Sequence, residues 1–281
     1  MSEKKNESCC VVSCDQPLDG TYWDLQWKSK TTGWDLGEPS PPLVRIIDSI
    51  EDNTSAILIP GCGSGYETTY LLEKGFTNIT LIDISETACE LLSNKFASHP
   101  EVHICCEDFF EHRGTYDIII EQTFFCALPP AWRQRYVWKM FQMLNPKGIL
   151  AGLLFDRQFE KSPPFGGSRA EYIQLFQHSF DISKLETAEN SVLPRANSEL
   201  SFLFQKNNLL HVNLYSLEGI TCNGCKHTVT EIFSKIEGVK NISMSTDYSE
   251  VLIVSTDKIP LTVLEDKLSY ETHYSISSIN P

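Results

Sequence analysis

Four short stretches of the chain carry residues whose types and spacing suit ligand chemistry. "ILIPGCGSGYETTYLLEKG" (57–75) sets glycines at 61, 63 and 65 between an apolar run and a helical pattern. A dinucleotide fingerprint would need its third glycine at 66, where Tyr66 stands, and a phosphate-binding P-loop would end in Gly-Lys-Ser/Thr, which is absent. G-x-G-x-G after a first strand suits instead the methionine and ribose parts of S-adenosylmethionine, which has no pyrophosphate to wrap; Gly61, Gly63 and Gly65 let the backbone approach the ligand. "ITLIDIS" ends a second apolar run at Asp83, 22 positions beyond Gly61, where a carboxylate accepts from both ribose hydroxyls and leaves Ser85 to cap the next helix. "CCEDFF" ends a third run with Asp108, placed to accept from the adenine amino group, and Phe109, placed to flank the ring. Far downstream, "LEGITCNGCKHTVTEIFSKIEGV" (217–239) puts Cys222 and Cys225 at a strand-to-helix junction. There C-x-x-C presents two thiolates to one soft ion such as Cu(I) or Zn(II), and the helix N-terminus lowers thiol pKa.

These residues need an alternating framework to hold them. Strands are expected at 56–60, 79–83, 102–106, 116–120 and 149–155, and helices at 66–74, 86–97 and 131–144. That alternation predicts a parallel α/β sheet covered on both faces. A helix at 171–180 and strands near 181–190 and 199–206 add an antiparallel edge. The pattern then resets: strand 211–218, helix 225–236, strands 240–246 and 250–255, helix 261–269 and strand 273–279 make a ferredoxin-like βαββαβ unit. The expected organisation is a flexible tail over 1–18 with Cys9, Cys10 and Cys14, a large domain over 19–206 and a small one over 211–281. Residues 20–37 hold three of the five tryptophans without clear periodicity.

Composition narrows the function. With 281 residues, 41% hydrophobic and 21% charged, the chain is an ordinary globular protein. A net charge of -14 argues against a nucleic-acid partner and against docking on anionic lipid. No apolar stretch reaches a membrane span, and the N-terminus has no signal-like core, so a cytoplasmic location is expected. The ten cysteines then read as small buried hydrophobes or soft-ion ligands rather than as disulfides.

Residues 20–205 resemble the thiopurine S-methyltransferase superfamily, closest to its thiol, thiocyanate and halide methyltransferase branch. The resemblance rests on "YWDLQW", "GWDLGEPSPPL", "PGCGSG", "LIDIS", "EDFF", "EQTFFCALPPAWR" and "PPFGGS" in that order. It implies a class I methyltransferase fold, Rossmann-like with a seven-stranded sheet. It also implies cofactor contacts at Trp23, Trp27, Trp34, Gly61, Asp83, Asp108 and Phe109. Gln122 is counted with them, and it stands where the halide-methylating branch has tyrosine, which bears against halide specificity. An indole face attracts a sulfonium cation, and the N-terminal segment is expected to close over the cofactor as a lid. Residues 212–280 resemble heavy-metal-associated domains, with Ile220 where those usually carry methionine. That resemblance implies metal ligation by Cys222 and Cys225, and a metal-donor protein as a possible partner.

The expected reaction is methyl transfer to a small soft nucleophile: a thiol, a selenium or tellurium species, or a halide. An acceptor that is already an anion needs no general base, so alignment and desolvation do most of the work. This matches the lack of a nucleophile–base pair: His99, His103, His112 and His178 fall outside the motifs. Phe124 and Phe125 are candidate walls of the acceptor pocket, Arg133 or Arg169 candidate anion ligands, and "KSPPFGGSR" a candidate second lid. The alternative is a metal-trafficking protein whose methyltransferase-like domain only senses the cofactor; turnover separates the two.

Overall fold

The computed structural model describes residues 17–279 apart from 270 and 272, so Cys9, Cys10 and Cys14 lie outside the described residues. Helices α1 (Gly20–Lys28) and α2 (Pro41–Asp48) precede the alternating part. That part runs β1 (Ile57–Pro60), α3 (Tyr66–Glu73), β2 (Ile79–Asp83), α4 (Glu86–Lys95), β3 (Val102–Cys106), β4 (Tyr116–Gln122), α5 (Arg133–Met143) and β5 (Leu144–Phe155). It closes with α6 (Arg169–Phe176), β6 (Phe180–Thr187) and β7 (Glu199–Lys206). The sheet order is β3-β2-β1-β4-β5-β7-β6. Strands β1 to β5 are parallel, and β7 runs antiparallel to both β5 and β6.

Every residue of β1 and β2 is buried, as parallel strands with helices on both faces require. Alternate residues serve two cores: Leu58, Ile82 and Ile119 join one cluster, and Ile57, Ile59, Ile79 and Leu81 the other. Strand order reverses between β1 and β4, and at such a point the strand ends open onto a crevice.

The second unit runs β8 (His211–Glu218), α7 (Asn223–Ser234), β9 (Val239–Met244), β10 (Glu250–Ser255), α8 (Leu261–Leu268) and β11 (Ser275–Ser278). Its antiparallel sheet has the order β11-β8-β10-β9, the ferredoxin-like βαββαβ arrangement. One face packs Tyr215, Leu217, Val251 and Ile253 with Val229 and Phe233 of α7. The opposite face is not free: Val212, Leu214, Leu252 and Val254 share a core with Trp138 and Phe141 of α5.

Two local expectations change. The segment read as unpatterned contains helix α1, which shows little amphipathicity because neither its core nor its surface face is uniform; Leu25 is exposed and no residue of it is fully buried. It forms because Asp19 caps it, accepting from Tyr22 N at 3.0 Å. The fifth strand starts at Leu144 rather than 149, directly after α5, with Leu144 already extended. None of the described helices is long and apolar enough to cross a membrane.

Candidate active site

At the carboxyl ends of β1, β2 and β4 lies a cavity of about 1000 Å3. Small-molecule sites range over roughly 300–1000 Å3, so there is room for a cofactor and an acceptor together. Its floor is Gly61, Gly63, Asp83, Ile84, Asp108 and Phe109. Asp83 is 8% exposed; its two oxygens accept from Gly63 N at 3.1 Å and Ser85 N at 2.9 Å. Burial pushes the Asp83 carboxyl up, against the pull of those two N–H groups. No cation bonds it among the described residues, so its remaining lone pairs suit neutral donors such as sugar hydroxyls. Ser85 accepts from Ala88 N and caps α4. Asp108 accepts from Phe110 N at 2.8 Å at the cavity edge.

Gly61 sits at φ +57°, and a Cβ there would meet the Phe124 ring at 2.6 Å. The ring therefore lies directly against the turn. Phe124 also packs edge to face on Phe109 at 4.8 Å, which places it between the floor and the far half of the cavity.

Helix α1 and the loop after it form the roof. Trp34 meets Trp23 at 5.6 Å and Trp27 at 6.2 Å, both edge to face, and all three indoles line the cavity. Three polar ties hold the roof down. Asp24 accepts from Thr87 N at 2.9 Å and Ser85 Oγ at 3.0 Å, at the N-terminus of α4. Ser64 Oγ donates to Asp35 at 2.5 Å, joining "GWDLG" to the glycine turn. Arg195 donates to Trp34 O at 2.7 Å from below while pairing with Glu199.

The far half is walled by Leu128, Pro129, Trp132, Phe155, Phe159 and Phe165. Its one free guanidinium is Arg157, exposed, stacked on Phe159 at 4.7 Å and without a carboxylate partner among the described residues. The expected second lid is a pinned wall: Phe165 N donates to Cys126 O at 2.6 Å, and Arg133 donates to Gly166 O at 2.6 Å. Cys126 lines the cavity, yet burial raises its thiol far above neutrality, so it stays protonated. Among the described residues no histidine lines the cavity.

In the small unit Cys222 Sγ and Cys225 Sγ stand 3.2 Å apart at the N-terminus of α7, with Cys222 exposed. Bonding at Thr221, the Tyr274 hydroxyl and Cys222 lower the Cys225 thiol to about 6. Two adjacent thiol sulfurs, one of them readily ionised, form a donor set that fits a soft ion.

A model of the thiopurine S-methyltransferase family matches residues 18–212. The chain belongs to the thiopurine S-methyltransferase family. It is thus a methyltransferase with S-adenosylmethionine as its cofactor, and residues 214–270 match the heavy-metal-associated domain. It is 32% identical over 200 residues to a probable thiol methyltransferase 2 of Arabidopsis thaliana, spanning 68% of this chain and 88% of that protein. It is 28% identical over 184 residues to thiocyanate methyltransferase 1 of Brassica oleracea, spanning 63% of this chain and 81% of that one. Among solved structures, the Burkholderia thailandensis 1,6-didemethyltoxoflavin-N1-methyltransferase superposes with a TM-score of 0.55 at 16% identity. The match covers 70% of this chain and 94% of that one, a likeness of fold alone.

For this family member, the structure brings Trp23, Trp27, Trp34, Gly61, Gly63, Asp83, Asp108, Phe109 and Phe124 to one cavity. Five expected site residues stand elsewhere. Gly65, at φ +62°, opens α3 against Leu92 and Phe96, where a Cβ would come within 2.7 Å; it is glycine for packing. Gln122 lines a smaller adjoining recess, its amide 3.1 Å from both Glu67 Oε1 and Arg195 Nη1 and oriented to donate to the first and accept from the second. Phe125 is 2% exposed and packs on Tyr136 and Tyr172 in the core. Arg133 is buried against Glu171 and Phe125, and Arg169 bonds Thr187 outside the cavity. Sequence reading missed Arg157 and Arg195, since an isolated arginine after a strand carries no signal of where its side chain points. It also missed the polar anchors Asp24 and Asp35, although both sit inside the quoted "YWDLQW" and "GWDLG" motifs.

Proposed function

We propose that this methyltransferase passes the cofactor's methyl group to a sulfur or selenium anion carried on an apolar body. The observation that supports this reading is the far wall, which among the described residues has aromatic and proline side chains, one unpaired guanidinium and no histidine. A halide or tellurium oxyanion has little surface to set against Trp132, Phe155 and Phe159, whereas an aromatic or branched thiol covers them. Asp83 and Asp108 hold the ribose and adenine, and the Trp23, Trp27 and Trp34 cluster faces the cationic sulfur, an attraction of ~0.5–2 kcal/mol. The cofactor supplies an electrophilic methyl group on a sulfonium centre. The chain's own residues do the rest: Arg157 favours the thiolate at the rim, the pinned walls fix its approach, and the indole roof excludes water. No side chain needs to take a proton in the transfer step.

The test is S-adenosylhomocysteine formation with hydrosulfide, iodide, selenite, an aliphatic thiol and 4-nitrothiophenol. Specificity should rise with the apolar area of the thiol, and Arg157→Met should raise KM for anionic thiols severalfold while cofactor affinity holds. Preference for iodide over every thiol would end the assignment. In the C-terminal domain, Cys222 and Cys225 are assigned to one soft ion, delivered by a metal-donor protein. A Cys222→Ser/Cys225→Ser double variant that titrates with Cu(I) as tightly as the parent would remove that assignment.

A further inference from the structure

We propose that the C-terminal domain braces the acceptor site from outside, holding Arg135 of α5 as a positioning residue. The proposal rests on the reading that the far wall meets the acceptor. Arg135 lies in the first turn of α5, beside the wall. Its guanidinium sits 5.7 Å from the Phe110 ring centre and 5.8 Å from that of Trp132. Those two rings meet edge to face at 5.6 Å, and both line the cavity. One planar cation therefore sets the angle of two wall residues.

What holds that cation comes from the other domain. Nε and Nη2 of Arg135 both donate to Oε1 of Glu250, the first at 2.8 Å. Glu250 opens β10 and is 3% exposed; its own N–H donates to Ser245 Oγ at 3.0 Å, so the hairpin between β9 and β10 fixes where the carboxylate stands. No carboxylate of the methyltransferase domain pairs with Arg135 among the described residues. Its side chain is 33% exposed, so Glu250 is the ionic contact that fixes the guanidinium in place over the two rings. Gln134, beside it, donates to Ser243 Oγ at 3.2 Å and holds the same helix end to the same sheet.

The experiment uses the full chain, with Arg135→Lys and Glu250→Gln, and 4-nitrothiophenol as acceptor. Arg135→Lys keeps a charge for Glu250 but loses the planar fork over the rings. KM should rise about fivefold to tenfold, the scale of one lost cation–π contact, with kcat within about twofold. Cofactor affinity, measured by calorimetry, should stay at the parent value. Acrylamide quenching of indole fluorescence should increase in the variant, and that increase should vanish in a Trp132→Phe background. Glu250→Gln should reproduce the KM and quenching changes if Arg135→Lys folds poorly. Unchanged KM and quenching in folded, cofactor-binding variants overturn the proposal, as does a KM change that only follows lost thermal stability. If the parent methylates no thiol, the functional reading fails instead, and the quenching arm still decides whether Arg135 braces Trp132.

Discussion

Glu121 is fully buried at the end of β4, with Oε1 accepting from Phe124 N and Phe125 N at 2.9 Å each and Oε2 from the Tyr136 hydroxyl at 2.7 Å. No lysine or arginine bonds it among the described residues. Burial pushes its carboxyl up to about 7, against those three donors. The unfolded chain ionises near pH ~4.3, so between there and neutrality the folded state holds the extra proton. Stability from this group is therefore lost as pH rises through that window, by on the order of 3 kcal/mol in all. Glu121→Gln keeps the shape and both backbone acceptances, and its amide can donate to Tyr136. Relative to the parent, the variant should gain stability between pH 5 and pH 8, read from urea midpoints. Parallel pH profiles would show that Glu121 is already ionised in the fold. The same three bonds explain why neighbouring phenylalanines part ways: Thr123 turns at φ +58°, Phe124 goes to the cavity and Phe125 to the core.

At the scale of the element, α1 is a roof held by charge at a helix end rather than by apolar burial. Asp24 sits over the first turn of α4, where Thr87 N and Ser85 Oγ reach it, and it also pairs with Lys28 at 2.5 Å. Lys28 first, then the Thr87 donors, hold its carboxyl well below the usual carboxylate range. Asp24→Ala should leave the sheet and its melting intact and raise the cofactor's dissociation rate severalfold in stopped-flow indole fluorescence. An unchanged off-rate would mean that Trp23 and Trp27 hold the roof without this anchor. Salt should act in the same direction on the parent, since Asp24 and Lys28 are both near solvent.

On the scale of the whole molecule, one of three hydrophobic clusters runs across both domains. Val212, Leu214, Leu252 and Val254 pack with Trp138 and Phe141 on α5, and Gln142 donates to Val212 O at 2.8 Å. A ferredoxin-like sheet has helices on one face only, and here α5 covers the other. Separating the domains would expose apolar surface on both, so they should unfold together. All five tryptophans lie at or before Trp138, so indole fluorescence follows the large domain while far-ultraviolet circular dichroism follows both. The two signals should give one coincident denaturation curve. Leu214→Ala, at a site 2% exposed, should lower both together by about 2–5 kcal/mol. A second dichroism transition that leaves the fluorescence curve unmoved would show independent folding.

The amino-acid sequence alone determined the alternating framework, the glycine turn, Asp83 with its Ser85 cap, and the paired thiols of 222 and 225. Each of these is a local matter: side-chain period follows the strand or helix, positive φ favours glycine, and a cap sits within three residues of the N–H it binds. Tertiary structure alone decided which arginine meets the cavity. Nothing in the local sequence of Arg133, Arg157, Arg169 and Arg195 says which of them faces the cavity. Arg133 is drawn under the wall by Glu171 and Gly166, Arg195 under the roof by Glu199 and Trp34, and Arg157 is left at the rim. The covering of the small sheet by α5 was equally illegible, because Val212, Leu214, Leu252 and Val254 read as strand residues whether their face meets water, a helix of the same unit or another domain. A long flexible side chain and a second sheet face take their partners from distant parts of the chain, and only the packed fold brings those parts together.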